Sequence, residues 1–178
     1  LNARMDLTEL NEPGPDVSEN DVAKLLNFLK ESVQENDVVV LSGNVSPGVS
    51  KDIYARIIDT VHDCGGKAIL DADGDLFAFG IKSRPDVIKP NAFELGQYFQ
   101  LGYEPEAEES IELAKKLLND RTRLVVISRG SKGSIFVTNE AGYAADALKI
   151  DFHSAVGAGD AMVTGLARAL NEGMSLED

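Results

Sequence analysis

The sequence has 178 residues, 43% of them apolar, with 17 basic and 30 acidic side chains for a formal net charge of −13. A chain of this length can bury a core of its own, and so acidic a surface excludes nucleic acid and anionic membrane as partners because no basic patch is available to release counterions. No apolar run approaches membrane-spanning length, and the single cysteine, Cys64, excludes an internal disulfide framework or a thiolate metal cluster.

In chain order, Glu12–Pro15 (EPGP) is a turn cluster, followed by a helix with Ser18 as N-cap and Val22, Leu25, Leu26 and Leu29 at helical spacing. Asp37–Leu41 (DVVVL) reads as a strand buried on both faces. The loop Ser42–Val49 leads to a helix over Ser50–Asp63, which Gly65–Gly66 stop, with Cys64 expected beside the core. Strand and helix then alternate. Lys67–Leu70 is a strand ending in Asp71, Asp75–Ile81 a short helix, Asp86–Ile88 a strand, Asn91–Phe99 and Glu106–Asn119 helices, and Leu124–Ile127 a strand. Gly133–Thr138 and Gly142–Leu148 suggest a hairpin, and a last helix runs from about Gly157 to Leu170, ended by Gly173, with Ser175 able to cap another. The acidic stretch Glu104–Glu109 is expected to be a solvated loop and helix start. His62 and His153 stand alone, so surface or capping roles are expected of them.

This alternation predicts an α/β fold, a mostly parallel sheet covered by helices, in which ligands bind beyond the carboxyl ends of the strands. The loops at those ends are Ser42–Val49, Asp71–Asp75, Lys89–Glu94, Ser128–Gly133 and Gly157–Asp160.

Four of these loops carry chemistry. In Ala155–Asp160 (AVGAGD), small residues let backbone approach a ligand, and the free N–H groups of Gly157, Ala158 and Gly159 at a helix start make an anion hole. A carboxylate there, Asp160, repels a phosphate but makes sense as the base that accepts a proton from an attacking hydroxyl. The same residues would equally form a Gly-rich turn with a capping Asp. In Lys89–Glu94 (KPNAFE), Asn91 and Glu94 share a face of the first helical turn, so their oxygens could hold Mg²⁺, or could form a capping box, while Lys89 could meet a phosphate. Ser128-Arg129-Gly130-Ser131-Lys132-Gly133 suits a loop over nucleotide phosphates, though without P-loop spacing, and a simple turn explains it nearly as well. Ser42, Gly43 and Asn44 offer hydroxyl and amide groups that could read a sugar.

In their order these segments resemble the PfkB (ribokinase-like) carbohydrate kinase family. SGNVSPGV is similar to that family's SGSLPPG, KPNAFE to KPNxxE, SRGSKG to SLGxxG and SAVGAGDAM to STVGAGDSM, over Asn11 to Asp178. TELNEPGP resembles the TxINEPGP of the branch that phosphorylates sugar phosphates. The resemblance implies a three-layer α/β/α fold and places residues 1–178 as the C-terminal two-thirds of a single kinase domain, the ATP-binding and catalytic part. The first strands, the sugar-binding Asp and the lid would lie outside, so this fragment alone, lacking those strands, is expected to expose a sheet edge and to be poorly soluble or inactive.

The resemblance further implies ATP and Mg²⁺ as cofactors and Asp160 as catalytic base, with charge stabilised by the N–H groups of Gly157, Ala158 and Gly159. Asn91 and Glu94 would organise the metal, and Lys89, Asn91, Ser128, Arg129, Gly130, Ser131, Lys132, Gly133 and Gly159 would face the nucleotide. Ser42, Gly43, Asn44 and Asp160 would face the sugar. Asn44, Ser46, Arg129 and Ala155 depart from the family pattern, and Arg129 would add a charge beside the phosphates. The expected reaction converts fructose 1-phosphate to fructose 1,6-bisphosphate, with tagatose 6-phosphate or fructose 6-phosphate as alternative acceptors and a non-catalytic sugar- or nucleotide-binding regulatory protein as the alternative of another class. The expected partners are a small phosphosugar and ATP, with a homodimer through the absent lid and a reducing cytoplasm as compartment.

Overall fold

The computed structural model describes residues 12, 14–147 and 157–174. Its helices are α1 (Glu19–Ser32), α2 (Ile53–Asp63), α3 (Gly74–Gly80), α4 (Ala92–Tyr98), α5 (Ala107–Lys115) and α6 (Ala158–Glu172). The strands are β1 (Val38–Ser42), β2 (Lys67–Asp71), β3 (Val87–Ile88), β4 (Leu124–Ser128), β5 (Ser134–Val137) and β6 (Gly142–Ala145). Single 3₁₀ turns follow α3 at Ile81–Ser83 and β4 at Gly130–Lys132.

The sheet runs β1-β2-β3-β4-β5-β6. The first four strands are parallel, with Ser42 opposite Asp71 and Leu70 opposite Ile88, and the β5–β6 hairpin adds two antiparallel strands. Side-chain alternation along the strands divides the core into two layers. Ala68, Leu70, Ile88, Val125 and Ile127 face α1 to α5 on one side. Ile69, Val87 and Val126 face α6, through Val163 and Leu166, on the other. The mostly parallel sheet with helices on both faces is the fold that the periodicity predicts.

The ends of the elements follow their local chemistry. Ser18 caps α1 in a reciprocal capping box with Asp21. Helix α2 begins at Ile53, not Ser50, and α5 stops at Lys115, short of Asn119. Strand β1 corrects one expectation. It lies at the edge of the sheet, its Val40 is 39% exposed and only Leu41 is fully buried, because among the described residues no strand pairs with its outer side. Leu148, His153, Ala155, Ser175 and most of the TELNEPGP stretch lie outside the described residues.

His62, expected at the surface or in a cap, is instead nearly buried. Its ring is 9% exposed and Nε2 lies 3.0 Å from Asp86 Oδ2, an oxygen that also accepts the N–H of Ala68 at 2.8 Å. The histidine thus braces α2 against the start of β3 at the amino ends of the strands.

Candidate active site

Parallel pairing in register brings the carboxyl ends of β1, β2, β3 and β4 side by side, and with them Ser42, Asp71, Lys89 and Ser128. Lys89, one residue beyond β3, donates its N–H to Leu70 O at 2.9 Å and is only 5% exposed. Its ammonium meets Asp71 Oδ1 at 2.9 Å. The other Asp71 oxygen accepts the Ser42 hydroxyl at 3.3 Å. Three adjacent strands therefore end in one hydrogen-bonded line, Ser42–Asp71–Lys89.

Beyond that line opens a cavity of about 320 Å³ lined by Ser42, Gly43, Asn44, Asp71, Ala72, Asp73 and Glu94. Its wall is polar and acidic. Glu94 comes from the first turn of α4, where Asn91 Oδ1 accepts the Glu94 N–H and Glu94 Oε2 accepts the Asn91 N–H, both at 2.8 Å. The capping box is thus formed. It does not exhaust Glu94, whose carboxyl is pushed up by burial, against the pull of the Asn91 N–H and of Lys89, with Asp71 and Asp73 adding to the upward push.

The loop after β1 is held from beneath. Tyr54, in the first turn of α2, donates its hydroxyl to Ser42 O at 2.9 Å and lies 3.3 Å from Gly43 O. Burial, with the nearby Asp71 carboxylate, pushes this phenol up and so keeps it a donor. The segment after Pro15 packs on the same loop, Val17 donating its N–H to Pro47 O at 3.0 Å. Two stretches that the sequence links only by resemblance are therefore neighbours.

On the far side of Lys89 stands the start of α6. Gly157 has φ +82°, a left-handed conformation that glycine adopts without steric cost, and it lets the chain turn into the helix at Ala158. A β-carbon built on Gly159 would lie 3.8 Å from Lys89 Nζ, so the first turn of α6 and the buried ammonium adjoin. Asp160, in that turn, is exposed, and its carbonyl accepts the Thr164 hydroxyl at 2.8 Å.

The loop after β4 is tied to the same region, because Ser128 donates its N–H to Pro90 O at 3.1 Å and Asn91 pairs with Ser128 as an isolated parallel bridge. Arg129 does not extend into open space. Its side chain is 10% exposed and its guanidinium is paired with Glu106, as is the Lys132 ammonium. Glu106 is solvated at the start of α5, as expected, and is also one anion shared by two cations.

Among the described residues no three His, Cys, Asp or Glu side chains converge as a ready-made metal site. The carboxylates of Asp71, Asp73 and Glu94 around the cavity nevertheless supply hard oxygens, which suit a Mg²⁺ ion that keeps its waters and arrives with a phosphate ligand. Asp71, Asp73 and Tyr54 join the site without standing out in the sequence as bearers of chemistry. The signal for the two aspartates was their place at a strand's carboxyl end among small residues (DADGD), while nothing local marks Tyr54.

Residues 4–178 match the family described as pfkB family carbohydrate kinase. The 1-phosphofructokinase of Bacillus subtilis (strain 168) is 32% identical over 173 residues, spanning 97% of this chain and 56% of that protein. That of Borreliella burgdorferi is 34% identical over 172 residues, or 96% and 55%. The chain spans about half the length of the curated relatives it matches. Escherichia coli phosphofructokinase-2, solved with substrates and products, superposes with a TM-score of 0.83 at 26% identity, over 94% of this chain and 54% of that one. Arabidopsis thaliana ribokinase, complexed with ribose and ATP, shares the fold at a TM-score of 0.65 and 21% identity, over 86% and 48%.

Proposed function

We propose that this chain, which belongs to the pfkB family of carbohydrate kinases, forms the nucleotide-handling and catalytic part of an enzyme that phosphorylates fructose 1-phosphate to fructose 1,6-bisphosphate with ATP. The observation that carries the proposal is the junction of Lys89 with the first turn of α6, where Gly157, Ala158, Gly159 and Asp160 follow one another. A buried ammonium and free helix N–H groups together favour a multiply charged phosphoryl group.

In this mechanism Asp160 accepts the proton of the acceptor hydroxyl as its oxygen attacks the γ-phosphorus. The bond from that phosphorus to the bridging oxygen breaks, and ADP leaves with the electron pair. The N–H groups of Gly157, Ala158 and Gly159 take up charge that develops on the transferring group, and Lys89 neutralises the neighbouring phosphate. Mg²⁺ bound with the nucleotide supplies charge neutralisation on its phosphates, and Asn91 and Glu94 would hold it through water. Ser128 and the Gly130–Gly133 turn would bear on the nucleotide, and Ser42, Gly43 and Asn44 on the acceptor.

The naming of 31–34% identical relatives as 1-phosphofructokinases favours fructose 1-phosphate. A second reading, fructose 6-phosphate as acceptor, draws on the likeness to Escherichia coli phosphofructokinase-2. Residues that contact the phosphate of the acceptor, and a lid through which two copies pair, belong in this proposal to the part of the enzyme beyond this chain. The test is product analysis. Full-length protein given fructose 1-phosphate, ATP and Mg²⁺ should yield ADP and fructose 1,6-bisphosphate in equal amounts, and absence of ADP formation with every phosphoketohexose would overturn the proposal.

A further inference from the structure

We infer that Glu106 is a positioning residue for the nucleotide, acting through Arg129 and Lys132 to hold the loop after β4 in its binding shape. The inference rests on the kinase proposal, which assigns that loop to the nucleotide. Glu106 occupies the N-cap position of α5 but makes no capping bond with its side chain. The carboxylate reaches instead across to the loop, where Oε2 accepts from Arg129 Nη2 at 2.9 Å and Oε1 from Lys132 Nζ at 3.2 Å. Its backbone is fixed for that task. Ser110, fully buried, donates its N–H to Glu106 O at 2.8 Å and its hydroxyl to the preceding Pro105 O at 3.2 Å.

The loop itself has few other supports. Arg129 N–H donates to Gly133 O at 2.8 Å, and Lys132 N–H to Arg129 O at 3.0 Å, so the turn is closed on itself. Gly133, at φ +82°, packs against the Ala145 carbonyl, which leaves no room for a β-carbon. The Arg129 side chain is 10% exposed and its Nε finds no hydrogen-bond partner among the described residues. A guanidinium that deep with one nitrogen unsatisfied depends on its counter-ion, and Glu106 is the anion paired with it. Glu106 itself is 77% exposed, so its charge can be removed without opening the core. The arrangement also means that both cations of this loop are already engaged by Glu106.

Calorimetric titration of full-length protein with the imido analogue of ATP, which binds without turnover, tests the inference. Glu106→Gln should weaken binding about tenfold, as loss of one charge-assisted hydrogen bond would, and leave the acceptor KM unchanged. In an Arg129→Leu, Lys132→Gln background, where neither loop cation remains to be held, Glu106→Gln should have no further effect on that affinity. Wild-type affinity in the single variant, an equal rise in the acceptor KM, or a full effect in the background lacking both cations would each overturn the positioning role. If the unmodified protein does not bind the analogue, the kinase proposal fails first and this inference with it.

Discussion

Lys89 and Asp71 form an ion pair, Nζ to Oδ1 2.9 Å, with side chains only 6% and 16% exposed, at the point where β2 and β3 end together. A charge so placed is stable only while its partner remains, so the pair keeps an ammonium dry and oriented beside the first turn of α6. Asp71→Asn should therefore cost about 3 kcal/mol of stability in urea unfolding, the usual cost of leaving a buried charge unpaired. It should also raise the KM for ATP. Asp71→Asn with Lys89→Met should recover stability but not nucleotide binding. Recovery of both would mean that the pair serves only the fold.

Asp160→Asn should lower turnover by at least about a hundredfold, the scale of general-base catalysis. Affinity for the imido analogue of ATP should fall little, because the N–H groups of α6 are unchanged. A variant that keeps most of its turnover would remove Asp160 from the mechanism.

Glu94 gives a pH dependence of defined sign. Burial raises its carboxyl in the fold above the ordinary 4.5, so the folded protein binds this proton more tightly than the unfolded chain does. Its contribution is therefore most favourable at acid pH and is lost as pH rises from 4.5 through the raised value. Glu94→Gln should flatten that part of the stability profile measured by urea unfolding across acid and neutral pH. If Glu94 also organises Mg²⁺, the same variant needs more Mg²⁺ for half-maximal rate, whereas a purely capping residue leaves the metal dependence alone.

Tyr54→Phe removes the hydroxyl that holds Ser42 and Gly43 from below. The expected result is a loss of about 1 kcal/mol in stability together with a higher KM for the acceptor sugar. The KM for ATP should not change. A rise in both constants would point to general loosening of the sheet's end.

Local pattern in the sequence reveals much of this architecture. The alternation of β-branched runs with 3.6-residue periodicity marks the strands and helices, and turn residues mark the loops that meet at the site. Relationships that close over distance are not visible in that way. Val40 reads as buried because Val38–Leu41 is apolar throughout, yet it lies on an edge strand. Glu106 is the solvated acid that the sequence suggests, but its pairing with Arg129, 23 positions later, is not visible there. His62 looks isolated until α2 packs and brings it to Asp86. Asp71 becomes the partner of Lys89 only when β2 and β3 align in parallel. Each such contact depends on tertiary register, which no window of sequence contains.

The acceptor decides which member of the family this enzyme is. The measurement that tests the proposed acceptor most directly is kcat/KM for fructose 1-phosphate, fructose 6-phosphate, tagatose 6-phosphate and free fructose, with ATP and Mg²⁺ and the full-length enzyme. A charge-assisted pair to the sugar's phosphate is lost with free fructose, which should lower kcat/KM by about tenfold or more. Fructose 1-phosphate should give the highest value of the four. Equal or higher efficiency on free fructose would contradict the phosphosugar assignment.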